Sequence, residues 1–150
     1  MLFCRNLFIS GGPVFLLVLG LVALTTGFCA DLSLEQQEIR KAATRYLEAE
    51  VQRDLKTVYA SLAPSSDYLA AHNFEAFLEE AKTSPVRIVS YQILNISLIG
   101  KNPDKVKYPR VTRTAQVEVD VVILYTDTNQ RSVVNYAFPF VQEGGKWYKL

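Results

Sequence analysis

The chain carries one histidine, His72, and imidazole is the side chain that changes charge near neutral pH. Ser66 and Asp67 stand close by in sequence. A hydrolytic relay is defined by geometry, however, and Ser66 lacks the flanking glycines of a nucleophile elbow. The surrounding Ala70-Ala71-His72-Asn73 precedes a helix start, so His72 fits a capping or surface role better than that of a general base. One histidine and no cysteine after Cys29 leave no ligand set for zinc. No calcium-spaced acidic loop is present, and glycine after residue 30 is confined to Gly100, Gly144 and Gly145, which excludes a glycine-rich phosphate cradle. No catalytic residue, metal or cofactor is expected. Five aromatic residues, Tyr46, Tyr91, Tyr125, Tyr136 and Phe138, are the candidates to line a pocket for a small apolar or amphipathic ligand. Their rings offer apolar bodies with a polar handle, and ordinary core packing is their competing role. Glu50 and Asp54 are the carboxylates closest to such a pocket, and a solvated helix face is the expected place for both.

The first thirty residues set the compartment. No charged side chain occurs between Arg5 and Asp31, and Val14–Leu24 (VFLLVLGLVAL) is the densest apolar run. A positive residue, an apolar core and small residues at its exit make an export signal, with cleavage after Ala30 or Gly27. An uncleaved anchor is the second reading, because the uncharged stretch is long enough for the roughly 20 residues that a spanning helix needs. Lipidation at Cys29 is the third, opposed by the bulk of Phe28. Residues 31–150 then form an exported, periplasmic or secreted domain, or one tethered outside the cytoplasm. Without Arg5 the balance is 15 basic against 15 acidic residues, so no bulk positive field exists to gather nucleic acid. A basic loop (Lys101, Lys105, Lys107, Arg110, Arg113) could touch anionic headgroups if residues 1–30 hold the domain near a membrane. A solvated loop is the plainer reading.

The elements that must position these residues change type midway. Ser33 and Gln36 form an S-x-x-Q capping box. Ile39, Ala42, Ala43, Tyr46, Leu47, Val51, Leu55, Val58 and Leu62 then recur at three- and four-residue steps, one face of a helix. Asp54 is placed to cap a second helix, and Pro64-Ser65-Ser66 ends it. A further helical stretch carries Phe74, Phe77, Leu78 and Ala81 and closes at Ser84-Pro85. From Val86 the period becomes two. Ile88 to Ile99 is one β-rich run, Ala115–Tyr125 alternates apolar with polar residues, and Val134, Tyr136, Phe138 and Phe140 form the apolar face of a partner strand. Gly144-Gly145 is a hairpin signal before the last strand with Trp147. Pro139 cannot donate to a ladder, so a bulge or an edge is expected there. The sequon Asn95-Ile96-Ser97 falls within a strand.

This order, together with Tyr46–Pro64, Ala115–Asp127 and Phe138–Leu150 (FPFVQEGGKWYKL), resembles the small exported bacterial branch of the nuclear transport factor 2-like superfamily. The resemblance implies an α+β domain in which N-terminal helices pack on a curved antiparallel sheet of three or four long strands, the cystatin-like cone, with a cavity between them. Relatives often place Gly before the aspartate of the first helical break. Arg53 stands there in this chain, which implies a softer turn. Some relatives are isomerases, dehydratases or cyclases, and many are non-catalytic binding or accessory domains that dimerise through the sheet. The reading is therefore a non-catalytic binding or accessory domain. The alternatives are a cavity enzyme of the same fold and an assembly domain that forms a homodimer. Intact-mass measurement of the protein isolated from its native host is expected to give a chain beginning at Asp31; a mass starting at Met1 would refute cleavage.

Overall fold

Ser33 opens the first helix as its spacing to Gln36 predicts. The Gln36 amide donates to Ser33 Oγ at 3.2 Å, and the Ser33 amide donates to Gln36 Oε1 at 3.1 Å. Helix α1 runs over Leu34–Gln52, within a computed structural model that describes residues 32–150. The candidate cleavage residues Ala30 and Gly27 lie outside the described residues. Ile39, Ala43, Tyr46 and Leu47 form the buried stripe of α1, the face that three- and four-residue spacing dictates. The helix ends sharply, not softly. Arg53 takes the left-handed conformation (φ 59°), and the Asp54 amide reaches back to the Ala49 carbonyl at 2.9 Å. Left-handed backbone costs a non-glycine residue about 1–2 kcal/mol. A guanidinium bond from Arg53 Nη2 to the Ala81 carbonyl, 2.9 Å long, offsets that cost.

Asp54 caps α2 (Leu55–Ala60) by accepting from the Thr57 amide at 3.1 Å. Ser66 and Asn73 cap α3 (Asp67–Ala71) and α4 (Phe74–Thr83) in the same manner. Four strands follow: β1 (Val86–Lys101), β2 (Val111–Tyr125), β3 (Gln130–Glu143) and β4 (Lys146–Lys149). They form one antiparallel meander in the order β1-β2-β3-β4. Gly144 and Gly145, both at positive φ (55° and 78°), make the tight turn into β4.

The three register shifts of β1 fall between Ile88 and Ser90, Ile93 and Asn95, and Ser97 and Gly100. Each coincides with an apolar doublet in the sequence: Ile88-Val89, Ile93-Leu94 and Leu98-Ile99. The extra residue of a bulge leaves the alternation and bends the strand, so these doublets are where the sheet curves. Helix α1 lies on the inner face, against β1, β4 and the middle of β2. Its stripe meets Ala115, Val117, Val119, Val121 and Ile123, every one buried, in a single cluster with Phe140 and Trp147. Pro139 sits where β4 runs out: β4 pairs only with Phe140–Glu143, and the Leu150 amide donates to the Pro139 carbonyl at 3.0 Å. Beyond it β3 is an edge, the position in which proline is tolerated.

Val119 is 0% exposed at the centre of β2. Val119→Asp would bury a carboxylate without a partner, at a cost of about 3–5 kcal/mol. The expected outcome in a circular-dichroism melt is loss of the cooperative transition; an unchanged midpoint would place this residue outside the shared core.

Candidate functional site

Tyr46 and Glu50 lie four residues apart on α1 and so project from one face. They meet Lys149, which alternates with Trp147 on β4 and therefore shares its inward face. Two backbone bonds to the segment after α2 fix Lys149. Its amide donates to the Ser61 carbonyl at 2.9 Å, and its carbonyl accepts from the Ala63 amide at 2.7 Å. The chain after α2 thus runs beside β4 as a short parallel bridge at Leu62. These residues open onto a cavity of about 440 Å³, closed by Val58 and Leu62 after the α1 turn, Tyr68 of α3, Phe77 of α4, Tyr108 and Leu150. A second cavity of about 310 Å³ reaches toward Arg87, Ile88 and Ile123, and Glu50, Tyr68 and Phe77 line both. The Glu50 carboxylate stands at the junction.

Tyr108 reaches the cavity because its loop is built around Asn102. The buried Asn102 amide donates to the Tyr108 carbonyl at 2.8 Å and the Val111 carbonyl at 3.1 Å. Lys107 Nζ adds an ion pair to Asp67 Oδ2 at 2.7 Å, joining the loop to α3. Glu143, buried on β3, accepts from the Ser65 amide at 3.2 Å and from the Ser65 hydroxyl, and so ties the α2–α3 connection to the sheet.

Burial disfavours charge, and the cavity groups respond accordingly. The Glu50 carboxyl is raised above its ordinary value by burial, against the opposing pull of the Tyr46 hydroxyl, Arg53 and Lys149. The Lys149 ammonium is lowered by burial, with Glu50 pulling it back up. Tyr46 is raised by burial and by the adjacent Glu50 charge. Tyr68 is pushed up to about 12 by burial and by its 2.6 Å bond to Glu80 Oε2. An acid and an amine whose charges burial disfavours thus line one largely apolar space. Such a pair can grip a polar head, or hold and release a proton.

The five aromatic candidates divide. Tyr46 meets Phe138 edge-on at 6.1 Å, and Phe138 stacks on Tyr136 at 5.5 Å, so these three form a ladder from the cavity wall to the half-open inner face of β3. Lys149 Nζ lies 5.9 Å from the centre of the Phe138 ring. Tyr91 lies two strands away on β1, packed on α1 beside Thr44 and Glu48. Tyr125, the last residue of β2, is 37% exposed and lines neither cavity. Glu50 is not on a solvated helix face but half-buried in the cavity. The signal for this was in the spacing, since Ile39, Ala43, Tyr46 and Glu50 follow each other at four, three and four residues. Asp54 is exposed, and its hydrogen bonds to Thr57 hold its carboxyl low. His72 ends α3: its ring stacks on Tyr68 at 4.4 Å, Nδ1 lies 3.1 Å from the Tyr68 carbonyl, and Nε2 lies 3.1 Å from Glu80 Oε1. Among the described residues no cluster of histidine, cysteine or carboxylates has metal-holding geometry, and no helix is long and apolar enough to cross a membrane.

Because the folded-state value of Glu50 is raised, its protonated form favours folding. That contribution is fully present below the unfolded value of about 4.3 and is lost as pH rises through the folded value. A carbon-13 titration of the Glu50 carboxyl is expected to show a midpoint above about 4.3. Lys149→Met should move it higher still, since it removes an attraction that favours the carboxylate; a downward move would exclude Lys149 as its partner.

No protein-family model matches the chain, and no curated protein matches it. Among solved structures it is similar to a protein of unknown function with a cystatin-like fold from Nostoc punctiforme, at 16% identity over 79% of this chain and 87% of that one, with a TM-score of 0.47.

Proposed function

We propose that residues 31–150 form a non-catalytic binding or accessory domain of the nuclear transport factor 2-like cone type, exported or tethered outside the cytoplasm by residues 1–30. Its cavity takes a small amphipathic ligand. The observation that carries this reading is that Glu50 and Lys149 both line one mostly apolar space of about 440 Å³. Ligand sites of this size are lined mainly by apolar and aromatic groups, with a few convergent polar groups that fix orientation. Leu62, Phe77 and Leu150 supply the apolar wall. Glu50 accepts from, and Lys149 donates to, the polar end of the guest.

A second reading, a cavity enzyme of isomerase or dehydratase type, draws on the same acid. A carboxyl raised by burial beside a tyrosine hydroxyl is the kind of group that can move a proton. Native mass spectrometry of protein purified from its own host is expected to show a small non-covalent adduct, which the double variant Glu50→Gln/Lys149→Met loses. An adduct-free protein, or an adduct indifferent to both substitutions, would sink the binding reading. Turnover in isomerase or dehydratase assays, lost in Glu50→Gln alone, would establish the enzyme instead.

A further inference from the structure

A separate groove of about 430 Å³ lies on the other side of α1, between that helix, the end of α2 and β4. It shares no lining residue with the Glu50 cavity. Lys41 and Arg45, one turn apart on α1, face it together with Lys146 of β4, and Glu38 is its one acid. Among the described residues none of these three cations takes part in an ion pair. The Ser61 hydroxyl at the groove is already committed as a donor to the Thr57 carbonyl at 2.7 Å. Trp147 also lines the groove. It is 8% exposed, and its indole N–H is buried without an acceptor among the described residues. A buried donor without a partner has lost its water uncompensated. The groove therefore gathers three cations against one acid, in a domain whose charges balance overall.

We propose that this groove is a binding site for a small soluble oxyanion, a metabolite bearing a phosphate or carboxylate group. Lys41, Arg45 and Lys146 provide its charge, and the Trp147 indole forms part of its wall. Guanidinium and ammonium groups around one space favour an oxyanion over a neutral guest, and an indole floor suits an organic body attached to it.

Trp147 is the only tryptophan of the chain, so a nitrogen-15 proton correlation spectrum of the full-length protein holds a single indole resonance that reports this groove. Titration with inorganic phosphate, with ionic strength held constant by chloride, is expected to shift that resonance saturably. Arg45→Gln/Lys146→Gln, both at exposed positions, should weaken the response by roughly tenfold or more. Arg131→Gln on β3 should leave it unchanged. An unsaturable shift, one that chloride alone reproduces, or one that survives the double substitution would overturn the site. Binding to vesicles of phosphatidylglycerol without any response to free phosphate would overturn the soluble-ligand assignment.

Discussion

The inward face of β2 is the constraint that the remaining structure obeys. Val117, Val119 and Val121 are all 0% exposed, and a strand at the centre of a small sheet reaches that state only if both neighbours and a cover are present. The neighbours are β1 and β3, and the cover is α1, whose stripe shares one buried cluster with all four strands and with Val58 of α2. Neither half is stable alone: a lone helix of this length is marginal in water, and a sheet with one open oily face is an association surface. Their mutual burial sets the position of everything else, including the end of α1 that carries Glu50 into the cavity.

Given that constraint, the polar groups of the cavity are held by backbone rather than by one another. Arg53 turns the chain so that α2 packs back on α1 and against α4, at a local conformational cost that its bond to Ala81 offsets. Lys149 lies opposite Phe140 of β3 and is held by backbone bonds to the segment after α2. The cavity is thus what remains when a curved sheet is covered by a helix that crosses it rather than fills it. The bulges of β1 produce that curvature.

Much of this was legible in residue spacing. The capping box at Ser33, the Asp54 cap, the change of period at Val86 and the Gly144-Gly145 turn each reflect local chemistry that the tertiary fold does not override. Spacing alone did not place Glu50, expected on a solvated helix face, or single out Lys149, although each left a signal: a carboxylate continuing a buried helical stripe and a lysine sharing a strand face with Trp147. Composition argues against burying either, and composition misleads where a site keeps its charges. The division among the aromatic residues could not be read. Alternation tells which face Tyr91, Tyr125 and Tyr136 share, but not how far along the strand the helical cover extends. That distance depends on the crossing of α1 and on the three bulges. Helix α3, five residues long, leaves too short a period to detect, although its Ser66 cap is an ordinary one.

The partner of the cavity acid rides on the shortest strand of the sheet, four residues held by four ladder pairs. Such a segment opens at lower free energy than the long strands beside it. Opening of β4 would carry the Lys149 ammonium away and remove one of the attractions that favour the Glu50 carboxylate. Whatever steadies this strand, a guest in the cavity or a contact against its outer side, would thereby also keep that attraction in place.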